Sequence, residues 1–283
     1  ILWIDDVLIY ASSVQGLIQR RFEARNVKIN WEKSAFLLTS VKFLGRVVDG
    51  EGSRFDDEYI QTVTSIPIPE NGGQLSQFLN MANYMRNGII DYARISRSLY
   101  ALMEVVFEGS GSRTKKRVAS FKLEGLWTQE HTEAFEKVKS AVINQMKCSF
   151  VDDENDLYLI ADASDTGWCL LVCQGPPGEL EKPFLQRNLA PVLSLSGLFK
   201  DASAKWHIMQ KELYPFVRAL DRISYLLHRT RGFVIISDNR TLTHVMNPTG
   251  YVADTGKQTV DKVARWLLKF CGYRYFVEPI AGE

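Results

Sequence analysis

Apolar residues recur at two different periods along this chain, and the change from one to the other marks its organisation. From Gln74 onward, Leu75, Phe78, Leu79 and Ala82 follow the three-and-four spacing of a helix face. Residues 96–106 carry a second helical run after a turn around Gly88. Trp127-Thr128-Gln129-Glu130 opens another helix, with Ala134, Phe135, Val138, Ala141 and Val142 on one stripe. From Asp156 the texture becomes strand-like, with strands predicted at 157–161, 168–173 and 190–195. A long helix over about 204–227 carries Met209, Leu213, Phe216, Leu220, Ile223 and Leu227, followed by a strand at 233–237, a helix at 259–270 and a strand at 273–280. That order predicts a mixed α/β domain.

The first third is more broken. Two β-branched apolar runs flank Asp5-Asp6 in Ile1-Leu2-Trp3-Ile4-Asp5-Asp6-Val7-Leu8-Ile9-Tyr10 and predict a short hairpin with the acids at its tip. A helix is expected over 16–26, and a second hairpin over 41–48 bends at Gly45. Ile66-Pro67-Ile68-Pro69-Glu70-Asn71-Gly72-Gly73 excludes regular structure, because its prolines lack donors and its glycines favour turns, and a joint between domains is expected there. The glycine-rich, basic stretch 108–117 has the composition of a mobile linker, with Arg113, Lys115, Lys116 and Arg117 as phosphate contacts or as a solvated face.

Composition narrows the classes without choosing a function. A length of 283 residues with 46% hydrophobic content suits two or three domains with a sizeable core. With 34 basic and 33 acidic residues the net charge is +1, so any grip on a polyanion must come from local patches. No apolar stretch approaches the roughly 18 residues that span a bilayer, and no signal peptide is visible, which gives the expectation of an intracellular protein, cytoplasmic or nuclear. Cys148, Cys169, Cys173 and Cys271 lack metal-ligand spacing and read as buried, reduced thiols; the four histidines do not pair at such spacing either. Neither a Gly-x-Ser-x-Gly elbow nor a phosphate loop is present.

The chemistry therefore falls to carboxylates. Asp162 ends the first strand of the last domain, on the face opposite Leu157, Leu159 and Ala161. Glu212 precedes Leu213 on the long helix and is rotated about 100° from its stripe, at the border of core and solvent. Asp238 lies just past the later strand. Hard divalent cations take oxygen ligands, and two ions about 4 Å apart can clamp the attacking and leaving oxygens of a phosphodiester. Each acid taken alone also reads as a cap, turn or surface residue, and Asp5-Asp6 reads as an acidic turn. Pro215 is expected to kink the helix beside Glu212.

The order of the short motifs decides between these readings. Ile4-Asp5-Asp6, Phe43-Leu44-Gly45, the run from Gln74 to Arg86, and Trp127-Thr128 with Ala134-Phe135 and Lys139 are similar to the Ty3/gypsy retrotransposon polyprotein. Asp162-Ala163-Ser164, Lys211-Glu212 and Ser237-Asp238-Asn239 resemble the ribonuclease H motifs that follow the reverse transcriptase in that family, and 273–283 resembles its closing strand.

The resemblance implies a multidomain α+β fold: part of a reverse transcriptase palm at 1–50, a helical thumb at 51–107, a linker and connecting helix at 108–155, and a ribonuclease H-like mixed sheet with flanking helices at 156–283. It implies that Asp5 and Asp6 match the polymerase metal pair, that Phe43, Leu44 and Gly45 match the primer grip, and that Asp162, Glu212 and Asp238 are catalytic metal ligands. A two-metal site for Mg²⁺ or Mn²⁺ is the implied cofactor and an RNA:DNA hybrid the implied partner, with no membrane. Lys182, Arg187, Lys200 and Lys205 are candidate phosphate contacts.

Trp3 stands where the family has Tyr or Phe, and Pro279 stands where it has a closing-strand His. The family's upstream palm aspartate and its final nuclease aspartate both lie outside these residues. Cleavage of RNA in a hybrid is thus the expected activity and DNA synthesis is not. The alternative is a non-catalytic remnant that binds nucleic acid or protein.

Overall fold

The computed structural model describes residues 35–239 and 257–280, together with 2, 3, 6, 7, 32, 242, 245 and 246. The helix expected at 16–26 lies outside the described residues. Strands β1 (Leu2–Trp3) and β2 (Asp6–Val7) pair antiparallel, Leu2 with Val7 and Trp3 with Asp6.

The second hairpin is β3 (Ser40–Phe43) and β4 (Arg46–Asp49), joined by Leu44 and Gly45 at φ 52° and 69°. Two consecutive left-handed residues make a turn whose twist suits a tight hairpin. An unexpected third strand, β5 (Gly52–Phe55), continues the sheet and leads into α1 (Asp57–Thr64), where the Asp56 carboxylate accepts from the amide of Tyr59.

Residues 66–69 form no regular structure, as their prolines require, but Gly72 and Gly73, expected to be irregular as well, open a helix capped by the Asn71 side chain. The stretch 66–69 is nevertheless a bend within one packed unit: Phe55 and Val63 before it share a core with Leu75 and Phe78 after it.

Helix α2 (Gly72–Tyr84) buries Leu75, Phe78, Leu79 and Ala82, the stripe its sequence spacing predicts. A single helical turn, α3 (Tyr92–Ile95), precedes α4 (Arg97–Ser110). The stretch 108–117 is not a linker. Helix α4 runs to Ser110 and α5 (Lys115–Ser120) begins soon after, with Val118 buried. A Cβ at Gly109 would stand 2.5 Å from the Phe121 ring, so the glycine serves close packing rather than mobility. Arg113 pairs with Glu104 at 3.0 Å. Helix α6 (Gln129–Ile143) then buries Ala134, Phe135, Val138 and Val142 against the same core, and β6 (Cys148–Ser149) returns to pair with β5.

The remaining residues build a five-stranded mixed sheet. Strands β7 (Asp156–Ala163), β8 (Gly167–Gly175) and β9 (Ala190–Leu198) form an antiparallel meander. The expected long helix is α7 (Ile208–Arg222) followed by the short α8 (Ser224–Leu227); α7 runs on through the buried Pro215. Strand β10 (Phe233–Ser237) lies parallel to β7, helix α9 (Lys257–Phe270) follows, and β11 (Tyr275–Pro279) lies parallel to β10.

The sheet order is β11-β10-β7-β8-β9. Leu157 and Leu159 join Leu170, Val172, Leu213, Phe216 and Ile235 in one buried cluster between the sheet and α7. Alternation along the strands sends Tyr158, Cys173, Val234 and Ile236 to a smaller cluster on the other face.

All four cysteines are free, but only Cys169 and Cys173 are buried; Cys148 is half-buried and Cys271 exposed, because β6 and the turn after α9 sit at the surface. Among the described residues no helix is long and apolar enough to cross a membrane.

Candidate active site

Strand register places the first two acids. Ile236 of β10 pairs with Ile160 of β7, so carrying that register on by two residues sets Asp238 beside Asp162. Asp238 sits on the bend that leaves β10, where the Ser237 hydroxyl accepts from the Asn239 amide and the Asn239 side chain accepts from the amide of Leu242. Both carboxylates are exposed.

Glu212 comes from α7 and is half-buried at the edge of its core stripe. Burial pushes its carboxyl up to about 7, and the charges of Asp238 and then Asp162 push the same way. A carboxylate resists ionising where it loses water and meets like charge, so the three acids share one negative field.

The donor set is all carboxylate oxygen, which fits a hard divalent cation. Even so, among the described residues no group of three or more His, Cys, Asp or Glu side chains is drawn close enough to hold an ion as it stands. The geometry explains why. Asp162 pairs across the sheet with Cys169, and Cys169 with Ser196, so these three lie in one row on the face away from α7.

Helix α3 covers that row. The amide of Ala93 donates to the Ser196 hydroxyl at 3.0 Å, and Arg94 Nη2 donates to Asp162 Oδ2 at 2.6 Å. Arg86 also reaches the Ser196 carbonyl at 2.9 Å. Arg94 is held from behind, its Nε donating to Asp91 Oδ2 at 2.7 Å.

Asp91 itself is in the left-handed region at φ 57°, and its other carboxylate oxygen, Oδ1, is buried without a hydrogen-bond partner. Burial raises the Asp91 pKa, an effect the bonds from Arg94 offset in part. Burial lowers that of Arg94, but its bonds to Asp91 and Asp162 outweigh this and raise it. Neither Asp91 nor Arg94 belongs to a motif, and no pattern in the sequence points to the contact. Only the register of three strands brings helix α3 to Asp162.

Of the other expected site residues, Asp5 lies outside the described residues and Asp6 has its backbone in β2. Phe43, Leu44 and Gly45 form the tip of the β3–β4 hairpin, where the Tyr84 hydroxyl donates to the Leu44 carbonyl at 2.8 Å.

Arg187 is not available to a phosphate. Its side chain is only 2% exposed and is held by both oxygens of Glu278 and by the Lys182 and Leu180 carbonyls. Lys182 bonds to Glu179 at 2.6 Å, whereas Lys200 and Lys205 are exposed.

Comparison with known proteins agrees with the fold. Residues 152–273 match the family described as the RNase H-like domain found in reverse transcriptase. The chain is 25% identical over its whole length to the retrovirus-related Pol polyprotein from transposon 297 of Drosophila melanogaster, covering 24% of that protein. It is 24% identical to the Pol polyprotein from transposon gypsy of the same organism, over 94% of this chain and 24% of the relative. It is also 24% identical to the Tf2-3 transposon polyprotein of Schizosaccharomyces pombe, over 100% of this chain and 20% of the relative.

The relatives are Ty3/gypsy-type retrotransposon Pol polyproteins, and the chain spans about a quarter of their length. Among solved structures, the foamy viral protease-reverse transcriptase in complex with RNA/DNA hybrid superposes with a TM-score of 0.64 at 19% identity, over 89% of this chain and 31% of that one. The same protein in complex with dsDNA gives 0.63 at 19% identity, over 89% and 47%. The mixed α+β fold is thus shared with a reverse transcriptase.

Proposed function

We propose that residues 156–283 act as a ribonuclease H, cutting the RNA strand of an RNA:DNA hybrid with divalent metal held by Asp162, Glu212 and Asp238. The observation that carries this reading is the β10–β7 register, which carried on past Ile236 and Ile160 sets Asp238 beside Asp162, with Glu212 of α7 near enough to feel both charges. Mg²⁺ or Mn²⁺ bound there would polarise a phosphate oxygen and help generate the attacking hydroxide.

The protein's own residues do the rest. Asp238 is fixed by the capped bend after β10, and Asp162 by the β7–β8 pairing. Glu212, from the border of the α7 stripe, lies near enough to feel the charges of both aspartates and adds the third carboxylate to the donor set. Hybrid recognition falls to groove shape, phosphates and ribose hydroxyls, with Lys200 and Lys205 as contacts.

In the same reading residues 1–50 are palm, 51–107 thumb and 108–155 the connection. Asp5 and Asp6 are then the polymerase metal pair, and Phe43, Leu44 and Gly45 the primer grip. Likeness to Pol polyproteins in chain order supports these assignments.

The test is a labelled hybrid incubated with Mg²⁺ or Mn²⁺ beside Asp162→Asn and Glu212→Gln. Metal-dependent cutting lost in both variants is expected; equal cutting by all three proteins would overturn the reading. A second reading, a non-catalytic binding module, draws on the absence of a gathered three-acid cluster among the described residues. It predicts hybrid binding with a steep salt dependence and no cleavage.

A further inference from the structure

We propose that Arg94 is a positioning residue for the nuclease site: a guanidinium clamp, braced by Asp91, that holds Asp162 on the α3 side of the sheet and must withdraw before Asp162 can share a cation with Glu212 and Asp238. The inference rests on the ribonuclease reading and adds to it a control point outside the nuclease sheet.

Three independent observations carry it. The first is direct contact: Arg94 Nη2 stands 2.6 Å from Asp162 Oδ2, at the position a cation would have to contest. A unit positive charge at that distance competes with any second cation for the same oxygens.

The second is that the clamp is built. Arg94 is held by Asp91, which adopts φ 57° and leaves a buried oxygen without a partner. Backbone strain and an unsatisfied buried acceptor are both unfavourable, and they persist where the surroundings fix them in place. Gly167 completes the fit, since a Cβ there would meet Arg94 Cγ at 2.9 Å and the Gly197 carbonyl at 2.9 Å.

The third is connectivity. Asp91 and Arg94 lie in and beside α3, next to the helical core of residues 55–142, whereas Asp162 belongs to the five-stranded sheet. Side chains on α3 therefore reach into the site only while α3 is docked on the row Asp162, Cys169 and Ser196. Loading the site with metal is thereby coupled to that interface, because each state favours a different partner for one carboxylate.

The test is Mn²⁺ titration of the full chain followed by electron paramagnetic resonance, which reads free ion without requiring turnover. Arg94→Ala and the more conservative Arg94→Gln are expected to bind Mn²⁺ about threefold more tightly than the wild type, as loss of one water-screened competing charge allows. Arg94→Lys, which keeps the charge, is expected to stay near wild type. Asp91→Asn, which loosens the brace, falls between.

Affinity unchanged or weakened in both Arg94→Ala and Arg94→Gln, while Asp162→Asn still lowers it, would overturn the clamp and leave the nuclease site standing. Affinity unchanged in Asp162→Asn would overturn the site assignment and the clamp with it.

Discussion

Arg94 and Asp162 are 68 residues apart in the sequence and 2.6 Å apart in space, and their bond joins the helical unit to the carboxylate on which the proposed chemistry depends. The Asp162 side chain is 70% exposed. Water screens such a pair, and exposed pairs contribute about 0 to 1 kcal/mol. Asp162→Asn is therefore expected to abolish metal-dependent hybrid cleavage while changing unfolding free energy by less than about 1 kcal/mol. Urea denaturation beside the cleavage assay checks the separation, and a loss of activity that follows a loss of folding would refute it.

The Glu212 carboxyl gives stability a slope with pH. Its folded pKa of about 7 lies above the ordinary 4.5, so between those values the folded chain holds more protons than the unfolded one. Stability contributed by this group is then present below pH 4.5 and lost as pH rises toward 7, by at most roughly 3 kcal/mol. In metal-free buffer, Glu212→Gln should remove that fall. Melting curves across the window that keep the same slope in the variant would show that another group causes it.

Arg187 is a structural cation. Its guanidinium is almost wholly buried against Glu278 and two carbonyls. Removing one partner of such a set strands the other, so Arg187→Ala is expected to destabilise by about 3 to 5 kcal/mol. Lys205→Ala, at an exposed position, should stay within about 0.5 kcal/mol of wild type and weaken hybrid binding instead. Denaturation midpoints together with a salt series of hybrid binding separate the two roles.

Gly167→Ala inserts a methyl group against Arg94 and the Gly197 backbone. Overpacking of this kind costs about 1 to 3 kcal/mol where neighbours cannot yield. The carbonyl cannot yield but the arginine can, so the variant should also push Arg94 off Asp162. Thermal melting reports the cost, and a Mn²⁺ affinity shifted in the direction of Arg94→Ala would report the displaced side chain.

Local periodicity made much of this fold legible. Leu75, Phe78, Leu79 and Ala82 are on a helix face because burial selects that spacing, and Leu157, Leu159 and Ala161 alternate because a strand has two sides. Composition misled where packing overrode it: Gly109 looks like a linker residue in sequence but lies against Phe121, which is distant in pattern and close in space. Strand β6 leaves no mark in the sequence for the related reason that two residues carry no period; it is a strand because it pairs with Gly52 and Ser53 far upstream.

The acids at 162, 212 and 238 stand out in the sequence by their positions at strand end, helix border and strand end, and by family likeness. What no reading of the chain alone reaches is Arg94. A single arginine in a short helix has meaning only after the register Asp162, Cys169 and Ser196 is known.

The short return of Cys148–Ser149 to Gly52–Ser53 has a consequence for assembly. The opening sheet cannot gain its last strand until the whole helical segment between has emerged and folded back, so its edge stays open during synthesis. Ser149 also donates to the Pro191 carbonyl and accepts from Gln174, so this one late residue stitches the early sheet to the later one. Cutting the chain just before Cys148 would leave Gly52 and Ser53 of the N-terminal piece without their partner strand, an open edge prone to self-association.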